Sequence, residues 1–220
     1  MLATLLVPPP AATPVVKLPH VTVGEYLDFE STSPVRHYYY QGKVIEMAGG
    51  SPAHNKIVNS ISRLLGTGLL PADCDVMTSD MKVAVSTELF YYPDLVVVCG
   101  DLFVAPGNVL QNPVLLGEVL SPSTEAFDLG RKFQLYRMIP SLEHILFAEQ
   151  ERPGVEHWAR ENGTWKLSSY STNLTQTVSL SICGTEIALP LEEVYRRITF
   201  APTIQDSETV TEESRMEGTV

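Results

Sequence analysis

Cysteine is scarce in this chain. Cys74, Cys99 and Cys183 are widely scattered, with no Cys-x-x-Cys pair. That spacing argues against a disulfide framework and a zinc site, and it points to a reducing cytoplasm. Long apolar runs are missing too. Stretches such as Leu95 to Cys99 and Val114 to Leu116 are of strand length, far too short to span a bilayer. The N-terminal MLATLLVPPP has no basic n-region and breaks into prolines, which argues against a secretory signal. Basic residues are also in deficit, with 15 Lys and Arg against 26 Asp and Glu. A protein that coats nucleic acid shows a basic stripe, and none is visible here.

What remains is the composition of an ordinary globular protein, 44% hydrophobic and 19% charged over 220 residues. Residues 1–19 are rich in proline and nearly uncharged, which reads as a flexible leader. Residues 201–220 are acidic and rich in Ser and Thr, which reads as a disordered tail. Residues 20–200 form the expected single domain, and most of the net charge of −11 falls within it.

Within that domain the elements alternate. Thr22-Val-Gly-Glu25 is a capping-box pattern that opens a short helix. His37 to Gln41 and Lys43 to Met47 flank a Gln-Gly turn and predict a hairpin. Ser51-Pro52 opens a helix over Ala53 to Leu65. Strands are expected at Asp75 to Val85, Leu89 to Cys99 and Val114 to Leu120. A second helix over Thr124 to Met138 is stopped by Pro140. Three further strands, Glu143 to Glu149, Val155 to Arg160 and Thr164 to Tyr170, precede a short helix at Leu191 to Arg196. The fold class is an α/β (α+β) sandwich, a mixed sheet with helices packed on it.

Charges stand where the pattern says core. Pro113-Val-Leu-Leu-Gly-Glu-Val-Leu120 is apolar at nearly every position, as in a strand covered on both faces, yet Glu118 sits inside it. Asp94 heads the run Leu-Val-Val-Val-Cys. A buried carboxylate needs a partner or a metal, and two on adjacent strands could hold a hard cation through oxygen. Capping of a strand end is an equally good reading of either acid alone. On the following helix Asp128, Lys132 and Tyr136 follow i, i+4, i+8 spacing along the inward, apolar face. A core-facing lysine calls for an anion, which is either Asp128 as a structural pair or the Asp94/Glu118 centre.

Tyr92-Pro-Asp94, Glu118-Val-Leu-Ser-Pro-Ser-Thr124 and then Asp128, Lys132 and Tyr136 resemble the Uma-two family of restriction-endonuclease-like proteins, within the PD-(D/E)xK nuclease superfamily. The resemblance extends over about residues 20–198 and includes Gln41-Gly42, Met47-Ala-Gly-Gly50, His54 and Ile139-Pro-Ser-Leu142. It implies a restriction-endonuclease-like fold in which Asp94 and Glu118 are the metal-binding acids. The superfamily pattern asks for Lys two residues after the second acid, where this chain has Leu120. The resemblance places that lysine on the next helix, at Lys132.

The resulting expectation is a Mg²⁺-dependent (or Mn²⁺-dependent) endonuclease acting on DNA, cytoplasmic, homodimeric and without a membrane association. Asp94, Glu118 and Lys132 are its catalytic residues, Asp94, Glu118 and the Val119 carbonyl its metal ligands. Glu46, His54, Asp128 and Tyr136 are supporting residues. Two alternatives stay open at this point. One is a non-catalytic interaction or regulatory module on the same fold. The other is a metal-dependent hydrolase of a small phosphorylated substrate, which needs no basic stripe.

Overall fold

The computed structural model describes residues 20–122 and 125–201. The proposed leader, the acidic tail beyond residue 201, and Ser123 and Thr124 of the motif lie outside the described residues. Among the described residues no helix is long and apolar enough to cross a membrane.

The chain opens with α1 (Val23–Thr32), fixed at its start by the capping box between Thr22 and Glu25. Then β1 (His37–Tyr40) and β2 (Lys43–Glu46) form the expected hairpin. Its turn residues Gln41 and Gly42 have φ of 45° and 83°, the double positive φ that matches the twist of a tight hairpin. Helix α2 (Pro52–Gly68) starts where Ser51 caps it and buries Ile57, Val58, Ile61 and Leu65.

Two of the expected strands each divide. Residues 75–85 become β3 (Cys74–Thr78) and β4 (Lys82–Ser86), separated at Ser79, which has φ 33°. Residues 89–99 become β5 (Leu89–Tyr91) and β6 (Leu95–Cys99), separated at Pro93, which has no N–H to give a ladder. In both cases the chain passes from one sheet to another. Short β7 (Val104–Ala105) and β8 (Val109–Leu110) precede β9 (Leu115–Leu120). A helical segment follows: α3 (Glu125–Phe127), a π-helical turn (Asp128–Lys132) and α4 (Phe133–Tyr136). After it come β10 (His144–Glu149), β11 (Val155–Glu161) and β12 (Thr164–Ser171). The sequence expectations stop at Tyr170 and resume at Leu191. The interval holds a hairpin, β13 (Thr177–Ile182) and β14 (Thr185–Pro190), before α5 (Leu191–Val194).

The central sheet has the order β12-β11-β10-β9-β6-β3, and the other large sheet the order β2-β1-β5-β4-β8-β7. In the central sheet β9 and β10 run parallel, joined through the helical segment, while the other pairs are antiparallel. Alternation along β6 and β9 divides the core in two. Leu95, Val97, Leu115 and Val119 pack with α2, α5 and the β13–β14 hairpin. Val96, Val98, Leu116 and Leu120 face the opposite way, toward Val83, Leu89, Tyr91 and Tyr136. The mixed α+β architecture is the one expected.

The structure corrects the reading of the cysteines. Cys74 stands opposite Cys99 across the β3–β6 pair, and the two form a disulfide. A separation of 25 residues hid a contact that depends on sheet register alone.

One buried pair gives the fold a pH dependence. His144 Nδ1 lies 3.1 Å from His157 Nε2, and both rings are buried. Burial and then the neighbouring His144 push His157 down to about 4. Its Nδ1 has no hydrogen-bond partner among the described residues, so a charged ring there has nothing to meet. The unfolded chain protonates near pH 6.5 and the folded chain only near 4. Stability is therefore expected to fall by about 2–3 kcal/mol as pH drops across that window and to level off below it. Urea unfolding midpoints from pH 7 to 4 would measure it, and His157→Gln should flatten the slope.

Candidate active site

Register brings the two acids together. Leu95 pairs with Gly117 across antiparallel β6 and β9, so Asp94, just before β6, comes beside Glu118 in the middle of β9. Gly117 permits the close approach, since a Cβ there would stand 3.1 Å from the Leu95 Cβ. Asp94 is then fixed by both oxygens. Oδ2 accepts the backbone N–H of Val119 at 2.8 Å, and Oδ1 lies 3.1 Å from His54 Nε2.

The helical segment delivers the cation. Lys132 Nζ lies 2.8 Å from Glu118 Oε1 and 3.5 Å from Asp128 Oδ1. Glu118, Asp128 and Lys132 are 5%, 5% and 7% exposed, so the charges meet away from bulk water. Neither reading of the inward lysine excludes the other, because Lys132 touches Asp128 and Glu118 together. Tyr136 donates to the same Glu118 Oε1 at 2.5 Å. It therefore plays its expected supporting part by holding the acid. The Lys132 ammonium also lies 5.6 Å and 5.7 Å from the ring centres of Tyr91 and Tyr136, a cation–π environment. The row includes a π turn around Gly130, a local widening frequent at functional sites.

Electrostatics follow from the inventory: three carboxylates surround one ammonium. Burial pushes Glu118 up to about 8 despite Lys132, and the charges of Asp94 and Asp128 add to the rise. Burial opposes a charge on Lys132, but Glu118, Asp128 and Asp94 together outweigh it and hold the ammonium above its ordinary range. Burial and Glu118 keep the Tyr136 phenol protonated, as donation requires.

His54 completes the edge of the site. The Ser51 side chain accepts the His54 N–H at 3.0 Å, fixing the residue in the first turn of α2. Burial works against its charged form, yet the Asp94 hydrogen bond and charge prevail, aided by the Val119 backbone, and its pKa is raised. Gly50 makes room, since a Cβ there would stand 2.7 Å from His54 Cδ2. Gly50→Ala should therefore displace the imidazole from Asp94. A proton NMR titration would show the His54 pKa falling toward 6.5, with the fold intact by circular dichroism. A pKa unchanged from wild type would mean that the ring tolerates the methyl group.

Of the residues singled out from sequence, Asp94, Glu118, Lys132, Asp128, Tyr136, His54 and Val119 converge here. Glu46 does not: it is exposed at the end of β2 and makes no hydrogen bond or ion pair with the cluster among the described residues. Tyr91 and Gly50 were missed as site residues. Gly50 had a signal, since the Gly49-Gly50 pair stands four residues before His54.

The donor set is oxygen-rich and suits a hard cation. Both hydrogen bonds to Glu118 fall on Oε1, so among the described residues Oε2 takes none. The cysteines are the only described His, Cys, Asp or Glu residues that bring three ligand atoms within 4.8 Å of one another. A cation at Asp94 and Glu118 would thus rest on two carboxylates, backbone and water, as Mg²⁺ does in sites that keep several waters.

A family model described as "Putative restriction endonuclease" matches residues 23–192, spanning both acids, the lysine and α2. The chain belongs to that family, the Uma-two family. Similar proteins include "Uncharacterized protein slr1290" of Synechocystis sp., 31% identical over 192 residues, covering 86% of this chain and 99% of that protein. Another Synechocystis sp. protein, "Uncharacterized protein sll1609", is 33% identical over 143 residues, covering 64% of this chain and 81% of that one. A crystal structure from Anabaena variabilis, described as "a putative nuclease belonging to DUF820", superposes with a TM-score of 0.60 at 12% identity. It covers 77% of this chain and 96% of that one, and the likeness is one of fold.

Proposed function

We propose that this protein is a metal-dependent endonuclease that hydrolyses phosphodiester bonds in DNA. The observation that carries the reading is the meeting of Asp94 and Glu118 at adjacent strands, with Lys132 on Glu118. Membership of a family described as "Putative restriction endonuclease", and a fold shared with a protein described as "a putative nuclease", support it.

Asp94, Glu118 and the Val119 carbonyl would hold Mg²⁺, or Mn²⁺ in its place. Such an ion, when bound, supplies a water of lowered pKa and positive charge beside the phosphate. The remaining work falls to side chains. Lys132, fixed by Asp128 and Glu118 and walled by two tyrosines, orients the attacking water and offsets charge developing on the phosphate. Tyr136 holds Glu118 through its Oε1, leaving Oε2 without a partner among the described residues. His54 holds Asp94 in place. A homodimer, one centre for each strand of a duplex, is the proposed working unit.

The deficit of basic residues favours a second reading, hydrolysis of a small phosphorylated substrate. One assay separates them. Purified protein is incubated with supercoiled plasmid, single-stranded DNA, RNA and a generic phosphodiester, with Mg²⁺, Mn²⁺ or chelator, beside Asp94→Asn. The reading expects plasmid cleavage that needs metal and is lost in Asp94→Asn. Turnover of the generic ester alone supports the second reading. No turnover of any substrate contradicts both and favours an interaction module.

A further inference from the structure

The third cysteine joins the other two. Cys183 is a free, exposed thiol, and its Sγ, with those of Cys74 and Cys99, lies in a group whose members are all within 4.8 Å of one another. Three chain segments meet there: Cys74 from the start of β3, Cys99 from the end of β6, and Cys183 from the turn of the β13–β14 hairpin. That turn has two residues, Cys183 at φ 48° and Gly184 at φ 77°. Double-positive turns favour Asn, Asp and Gly, and a side chain such as Cys is strained there. Strain of this kind is retained where the side chain has a use. We infer that the reduced Cys74, Cys99 and Cys183 form a soft-cation site, for Zn²⁺ or Cu⁺, and that the Cys74–Cys99 disulfide is its closed form.

The chemistry fits the spacing. Around a tetrahedral zinc with Zn–S bonds of about 2.3 Å, sulfur atoms stand roughly 3.8 Å apart, so the bonded Cys74 and Cys99 sulfurs must separate on reduction while Cys183 already lies within 4.8 Å of both. Opening the site requires a dithiol. Its two thiols reduce the Cys74–Cys99 bond to two thiols and become a disulfide themselves, so electrons and protons balance. Binding of the metal is then not a redox step. Three S–H bonds are replaced by three S–metal bonds, and three protons pass to buffer. Water fills the fourth position, which exposed Cys183 leaves accessible. Burial and then the Glu143 carboxylate raise the Cys183 thiol, so the metal must displace its proton on binding. Asp94 and Glu118 take no part, because the oxygen centre and the sulfur group share no residue.

The test uses the full chain, reduced with a dithiol, desalted without air and titrated with Co²⁺ as an optical probe. Thiolate ligation gives a near-ultraviolet charge-transfer band that oxygen ligands do not give. One equivalent should develop the band, Zn²⁺ should abolish it, and the oxidised chain should show none. Cys183→Asn suits the turn, so it keeps the fold while removing a ligand, and its Co²⁺ affinity should drop by more than about tenfold. Asp94→Asn should keep the band. Absence of the band in reduced, folded wild type would overturn the inference, as would equal affinity in Cys183→Asn.

Discussion

Lys132→Met will lower plasmid cleavage by about two to three orders of magnitude while leaving Mn²⁺ binding in place. The reason lies in the division of labour. Lys132 lies 2.8 Å from Glu118 Oε1 but belongs to a helical segment, whereas the proposed oxygen ligands come from the strand edge at Asp94, Glu118 and Val119. Removing the ammonium removes an electrostatic and positioning group without removing a ligand. Methionine fills the space between the Tyr91 and Tyr136 rings, so the pocket keeps its shape. Initial rates and Mn²⁺ titrations on the same preparation would measure the split. Cleavage within a few-fold of wild type would show that Lys132 is a structural partner of Asp128 and Glu118 only.

Glu118→Leu is expected to destabilise the fold by about 3–5 kcal/mol, because it leaves a buried ammonium short of its nearest partner. Leucine has the size for the site, and the neighbouring Leu116 and Leu120 are already buried on the same side of β9. The charge left behind is the source of the cost. Glu118→Leu combined with Lys132→Met removes both charges, and stability should recover in part, since replacing an entire buried pair is often neutral. Urea unfolding of the two single variants and the double variant gives the coupling. Single losses that simply add would mean that Glu118 and Lys132 do not act as a unit.

Much of this centre was legible in the sequence because burying a charge is costly and therefore rarely accidental. Glu118 stood out within an apolar run, and Lys132 stood out on an apolar helix face. Each inference needed only a local period, two residues for the strand and near four for the helix. What could not be read depends on register and on sheet exchange. The meeting of Cys74 with Cys99 follows from the β3–β6 register, which no local pattern announces. The divisions at Ser79 and Pro93 move the chain from one sheet to the other, and a local turn signal does not reveal such an exchange. Tyr136 was placed on the correct face, but its partner was not, because a helical wheel gives direction and not the atom at the end of it. Glu46 reversed the lesson: expected among the supporting residues from its place on the strand before α2, it stands at an exposed strand end.

The most direct measurement is calorimetric titration of Mn²⁺ into wild-type protein, Asp94→Asn and Glu118→Gln, at neutral pH with the cysteines oxidised. If Asp94 and Glu118 form the metal centre, wild type binds Mn²⁺ and each variant, folded by circular dichroism, loses that binding. Binding of equal strength in all three proteins, or none in wild type, would contradict the account.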